Sequence, residues 1–465
     1  MYIIYLLTHG QISEDFANPQ KISSMDASRP STRQSIKDIK YQHGFDNEHE
    51  SEAIAGALPI GQFSPQKAPL GLYTEQLSST AFTVPRAHNR RCWFYRIRPS
   101  VVQGDYTPYT QASVTTGPVT DIITPPNMLR WDPIAIPNKP TDFIDGLNTI
   151  ATNGNAMGQY GMGIHLYAIN QCMQNRYFYC ADGEYLFIPE QGELLLRTEC
   201  GRLHLQVGEI AVIPRGIKFA VDLLDETARG YVCENYGTPF VLPERGPVGA
   251  NGYANDRDFI YPCASYEDID QEMELLCKFA GHFYRASLDH SPLDVVAWTG
   301  NSAPYKYDLA RFNVMGSVSF DHPDPSIYTV LSSPSATEGV ANIDFVIFPP
   351  RWMVAENTFR PPWYHRNVMS EYMGLIKGQY DAKPDGFVPG GSSLHNSMSP
   401  HGPEAAVFEK ASQAELVPDH NQGSIAFMLE SRYIIQPTQW AMDTPLRQTN
   451  YIDCWKDIKK QFGSD

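Results

Sequence analysis

Between residues 176 and 235 the chain is cut into apolar runs too short for helices, and this punctuation limits the fold more than any other feature. The runs begin at Tyr185, Gly192, His204, Ile210 and Tyr231, with turn residues between them. Strands of about five residues, repeating at roughly ten-residue spacing, predict a β-sandwich or small barrel. The same pattern runs from Leu70 to about Pro140, as in Cys92-Trp-Phe-Tyr-Arg-Ile97. Residues 120–145 are rich in proline and predict irregular surface chain. A second strand series starts at Val295–Trp298 and continues through residues 312–320, 343–348 and 372–376. Residues 267–283 fit helix or strand equally. Near the C terminus Ile452, Trp455, Ile458 and Phe462 recur at helical spacing, which predicts a closing amphipathic helix. The expected fold is mostly β, with a few helices.

At 465 residues the chain exceeds one ordinary core, so two domains are expected. A hydrophobic content of 42% with 12% aromatics is enough to drive globular folding. Lys and Arg number 36 against 52 acidic residues, a net charge of −16. Such a surface repels polyanions, which argues against nucleic acid and anionic membranes as partners. An anionic substrate then needs a local positive element, and a metal ion supplies one. The eight cysteines include no C-x-x-C pair and read as reduced thiols of a cytosolic protein. The apolar start at residues 1–7 lacks a basic region and a cleavage site, so it does not read as a signal peptide. No stretch approaches the roughly 20 apolar residues of a membrane span, and the expected location is cytoplasmic. Residues 1–40 read as a loosely ordered leader, with Met25 a second candidate start.

The chemistry concentrates between Pro361 and Pro403. His365, Glu371 and His401 form the two-histidine, one-carboxylate set of a facial-triad iron(II) oxygenase. Two atoms on one metal lie no more than about 4 Å apart. On a straight strand, His365 and Glu371 would be separated by roughly 20 Å. On a helix their side chains would diverge by roughly 240°. The chain must therefore reverse between them, and Asn367 and Ser370 suit a turn. His365 is expected to end one strand and Glu371 to open the next. Zinc and manganese accept the same donors, and a metal-free polar network inside a barrel is the alternative. Asn47–Glu50 reads as solvated loop, and His165 and His204 as packed strand histidines. Gly158–His165 lacks the Lys-Ser/Thr of a phosphate loop. No G-x-S-x-G, H-E-x-x-H or G-x-G-x-x-G is present, so hydrolase, zincin and Rossmann readings lack support.

The frame His365-x-Asn367-x3-Glu371-x6-Gly378 resembles the first cupin motif, G-x5-H-x-H-x3,4-E-x6-G. Asn367 stands where the second histidine is usual, so the site draws on His401. Gly208-x5-Pro214-x-Gly216-x2-Phe219 resembles the second cupin motif with its histidine replaced, as though the first half were a cupin that holds no metal. Separate blocks across residues 41–455 resemble the homogentisate 1,2-dioxygenase family. They include Leu72-Tyr-Thr-Glu-Gln-Leu-Ser78, Gly249-Ala-Asn-Gly252, Pro304-Tyr-Lys-Tyr307, Phe320-Asp-His322 and Asp344-Phe-Val-Ile-Phe-Pro-Pro-Arg-Trp352.

That resemblance implies Fe(II), with homogentisate and O2 as substrates and 4-maleylacetoacetate as product, in tyrosine and phenylalanine breakdown. It implies a homohexamer built as a dimer of trimers. His322 then matches the catalytic histidine and Tyr380 a hydrogen-bond donor to substrate. His401, His395 and Asn367 complete the pocket. The expected division is a leader at 1–40, a metal-free β domain at 41–285 and an iron-binding cupin domain at 286–465. The rivals are a metal-dependent cupin isomerase that consumes no dioxygen and a bicupin binding or storage protein.

Overall fold

The computed structural model describes residues 36–244, 252–315, 328–353, 356–380, 382–383 and 385–463. Most of the predicted leader, and all of His322, lie outside them. Three large sheets stack in the order seven, nine and six strands. The centre of the nine-stranded sheet runs Glu209–Ile213, Glu184–Gln191, Ala228–Asn235, Tyr160–Ile169, Leu147–Asn155. These strands read as unbroken apolar runs because both of their faces are covered. On one face Tyr185 and Phe187 meet Phe178 and Phe219 of the seven-stranded sheet, at 5.7 and 5.9 Å between ring centres. On the other face the Tyr231 ring lies 4.9 Å from Phe427 of the six-stranded sheet, and its hydroxyl donates to the Gly391 carbonyl at 2.7 Å.

The six-stranded sheet carries the candidate site. Its order is Thr329–Pro334, Ala341–Phe348, Ile425–Ser431, Ser370–Lys377, Ser392–His395, Leu129–Trp131. The last strand corrects the sequence reading. It comes from the proline-rich segment expected to be irregular, and pairs Leu129 with Leu394. Three residues bounded by Pro126 and Pro133 are too short to register as a strand until an edge is there to pair with.

Other expectations also shift. Residues 273–288 form a hairpin, Met273–Phe279 with His282–Leu288, so the ambiguous stretch is strand. Val295–Gly300 pairs with Arg91–Arg96 and His49–Glu52. His49 is therefore buried in a strand, its Nε2 2.8 Å from the Gly44 carbonyl, and does not lie in solvated loop. Of residues 312–320, Asn313–Val314 is strand, and 316–320 lie outside the described residues. The predicted closing helix is a 3-10 turn, Tyr451–Trp455. Ile452 and Phe462 are exposed at 62% and 89%, so the helical spacing has no core to face. The α-helices among the described residues are Ala405–Gln413 and Gln439–Asp443, and none is long and apolar enough to cross a membrane. The cysteines are free thiols.

The replaced cupin histidine has a visible consequence. Phe219 is buried among Phe178, Phe187, Tyr185 and Phe143, an aromatic cluster without metal donors. Beside it, Lys278 is a fully buried cation, 2.7 Å from Glu234 and 3.0 Å from Asp182. His165 joins this network, with Nδ1 2.9 Å from Thr149 Oγ1 and Nε2 3.0 Å from Glu234. It is a packed strand histidine, as expected.

Candidate metal centre

Glu371 is the second residue of Ser370–Lys377, a central strand. His395 pairs with it from one neighbouring strand and Glu430 from the other. Directly opposed residues share a sheet face, so all three side chains point to one side. His365 does not end a regular strand. It sits in irregular chain after Pro361-Pro362-Trp363, where prolines deny ladder donors. An isolated antiparallel bridge to His401 holds it, with backbone N···O distances of 2.9 and 3.1 Å.

This bridge completes the triad. The ligand atoms of His365, Glu371 and His401 all lie within 4.8 Å of one another, the group of this kind found among the described residues. Glu371 Oε2 is 2.9 Å from His401 Nε2, and Oε1 is 3.8 Å from His365 Nε2. Each imidazole has its Nδ1 against a backbone carbonyl: His365 on Trp363 at 2.7 Å, His401 on Ser399 at 2.9 Å. Donation from Nδ1 turns each Nε2 toward the glutamate, and the proton it shares with the carboxylate is the one a metal would displace to give the tautomer that metal-bound histidines adopt. Burial pushes the Glu371 carboxyl up, but hydrogen bonds from His365, His401 and Asn367 outweigh it and hold the group well below the usual range. The donor set thus fits a non-haem divalent metal, with two neutral imidazoles and one carboxylate kept ionised. Glu371 and His401 are buried, whereas the His365 side chain is 31% exposed, so the site opens on the His365 side.

Asn367 uses its amide fully. It donates to Glu371 Oε1 at 2.8 Å and to Glu430 Oε1 at 2.6 Å, and accepts from Met369 N at 2.9 Å. Burial and the Glu371 charge push Glu430 up to about 7. Tyr380 lies beyond the end of the strand, not at it, and is buried between Phe348 and Phe387 at 5.7 and 6.1 Å. His395 stacks on His401, with ring centres 4.2 Å apart and planes 9° from parallel. Behind His395 lie Lys383 and Tyr451, neither of which the sequence singled out. Burial pulls Lys383 down to about 8. A lysine before a glycine-rich loop and a tyrosine near the C terminus carry no motif; only the fold joins them. Glu430 had a faint signal, a charge closing the apolar run of residues 425–429.

A mostly-β fold with two histidines and a glutamate converging on one point defines a β-sheet protein with a candidate centre for a divalent metal. Comparison with known families narrows this. The profile of the homogentisate 1,2-dioxygenase N-terminal domain matches residues 40–309, and that of the C-terminal domain matches residues 310–462. The chain belongs to the homogentisate 1,2-dioxygenase family and is a ring-cleaving dioxygenase. Among solved structures it is similar to a cupin 2 conserved barrel domain protein from Leptotrichia buccalis. That match has 9% identity and a TM-score of 0.28, covering 63% of this chain and 91% of the other. It is also similar to a variant of salicylate 1,2-dioxygenase from Pseudoaminobacter salicylatoxidans. There the identity is 8% and the TM-score 0.26, covering 60% and 76%.

Proposed function

We propose that this chain opens the ring of homogentisate with O2 to give 4-maleylacetoacetate, in tyrosine and phenylalanine breakdown, and that its metal is Fe(II). The carrying observation is the His365–Glu371–His401 triad inside a chain whose residues 40–462 match one dioxygenase family. When bound, the metal would supply Lewis acidity toward a phenol oxygen and dioxygen, and positive charge to stabilise a phenolate.

The protein's own groups prepare that meeting. Glu371 would cancel one charge of a bound divalent metal, and Asn367 fixes the orientation of its carboxylate. His365 and His401 are held by backbone carbonyls, so their Nε2 atoms need no reorientation on binding. Holding ring and dioxygen side by side turns a bimolecular encounter into an intramolecular step. His322 takes the phenol proton in this reading, and Tyr380, His395 and His401 position the substrate. The assembly is a homohexamer built as a dimer of trimers, located in the cytoplasm, with no nucleic-acid or membrane partner.

Oxygen uptake by the Fe(II)-loaded protein given homogentisate, with gentisate as comparison, tests the assignment. Uptake with a new ring-opened chromophore is expected for homogentisate. Absence of uptake with iron bound would overturn the substrate. His322→Ala should keep its iron and lose turnover.

A further inference from the structure

The hydrogen bonds behind His395 decide which of its nitrogens carries the proton. Lys383 Nζ lies 3.2 Å from His395 Nε2, and the Tyr451 hydroxyl lies 2.8 Å from the same nitrogen. Lys383 is also hydrogen-bonded to the Tyr451 hydroxyl. An ammonium has three N–H donors and no acceptor. Lys383 therefore donates to the Tyr451 oxygen, leaving the phenol proton of Tyr451 for His395. Both neighbours offer Nε2 a hydrogen, so Nε2 is the bare, accepting nitrogen. A neutral imidazole with a bare Nε2 carries its hydrogen on Nδ1.

The ammonium is held in place for this task. It lies over the rings of Tyr451 and Trp455 at 5.1 and 5.4 Å, and the Arg130 guanidinium covers Tyr451 at 4.3 Å. Trp455 Nε1 donates to the Pro403 carbonyl at 3.0 Å, which ties the same C-terminal turn to the His401 loop.

His395 Nδ1 is buried and has no hydrogen-bond partner among the described residues. Its residue is directly opposite Glu371 on the adjacent strand, and its ring stacks on that of His401. The spare N–H therefore belongs to the face that bears the triad. A buried donor without an acceptor is costly, which points to an acceptor arriving with the ligand. We propose that Lys383 and Tyr451 fix His395 as the Nδ1–H tautomer, making it the hydrogen-bond donor to an anionic oxygen of the substrate bound beside the metal. That oxygen is either the phenolate or the carboxylate of the side arm. Lys383 and Tyr451 are positioning residues in this arrangement, and His395 makes the contact. The identity of the substrate rests on the function proposed above, but the tautomer does not.

Two measurements test it. The first is 15N NMR of the histidine-labelled full chain loaded with diamagnetic zinc, the His395 signals being assigned by their loss in His395→Gln. A bare Nε2 and protonated Nδ1 are expected in the parent protein and in Lys383→Arg, with the proton moving toward Nε2 in Lys383→Met. A protonated Nε2 in the parent would overturn the proposal whatever the enzyme turns over. The second is steady-state kinetics of the Fe(II) enzyme on homogentisate and its methyl ester. His395→Gln and Lys383→Met should lower kcat/KM for homogentisate about 10- to 100-fold, chiefly through KM, at unchanged iron content; Lys383→Arg should rescue. If the loss vanishes with the ester, the acceptor is the carboxylate; if it persists, the acceptor is the phenolate. Unchanged kcat/KM in His395→Gln would overturn the donor role. Failure of the parent to consume dioxygen would instead remove the substrate assignment and leave the NMR result to decide the tautomer.

Discussion

His365 and His401 grip each other by backbone as well as by side chain: two hydrogen bonds of 2.9 and 3.1 Å join them, and their rings lie 4.2 Å apart. The bridge sets the spacing of the two imidazoles before any metal arrives. Gly402 sits where this approach is tightest. A Cβ there would fall 2.5 Å from Cδ1 and 2.9 Å from Cα of Tyr364. The ring can turn away but the backbone cannot, so His365 must move. Gly402→Ala should weaken metal binding about 10- to 100-fold, the cost typical of disturbing a ligand's support. Metal retained after dialysis against a graded chelator series measures this, and wild-type retention would mean that the bridge does not set the ligand spacing.

Asn367 stands between two carboxylates and donates to both. Asn367→Ala removes both hydrogens and leaves Glu371 and Glu430 as unscreened neighbours on adjacent strands. Metal affinity should fall about 10- to 100-fold while the fold persists. Calorimetric titration with Zn(II), alongside the unfolding midpoint, separates these outcomes.

Lys278 is the cation set between two buried carboxylates, Glu234 and Asp182. Burial pushes Glu234 up, but Lys278 and His165 overcome this and hold it at about 2, against an ordinary 4.5. A depressed carboxyl gives stability that is complete above its unfolded value and lost as pH falls toward its folded value. Stability should therefore drop between about pH 4.5 and about 2 through this group. Lys278→Ala leaves Glu234 and Asp182 buried without their cation and should cost about 3–5 kcal/mol. Denaturant unfolding across the acid range, parent against variant, measures both effects.

The halves are joined through Tyr231 and the six-stranded sheet, where Gly374 leaves room for two rings. A Cβ on Gly374 would meet Phe427 at 2.3 Å and Tyr231 at 3.0 Å. Gly374→Ala should destabilise by about 1–3 kcal/mol, the usual cost of overpacking. A change in urea midpoint well below this would show that the rings yield freely.

The strands of residues 184–235 and 341–376 were legible because an apolar run bounded by Pro and Gly is a local signal. The site was legible to the extent that its donors are chemically distinctive: His365, Glu371 and His401 converge as expected. Their geometry was not fully legible, since His365 is placed by a bridge to His401 and not by the strand expected for it. The Ile452–Phe462 spacing failed for a related reason. Helical periodicity predicts a helix only where a core lies opposite, and the turn there is instead anchored by Tyr451 and Trp455.

By itself the sequence determined which chemistry this protein carries: short apolar runs that can only build sheets, and a histidine–glutamate–histidine set that suits a divalent metal. Those are properties of residue types and their near neighbours. What tertiary structure alone decided is how that chemistry is held. Lys383, Tyr451 and His395 are brought together from far apart in the chain, as are Asn367 and Glu430. Hydrogen bonds and charge act over a few ångströms of space, so whether they form depends on which strands pair, not on how far apart their residues stand in the chain.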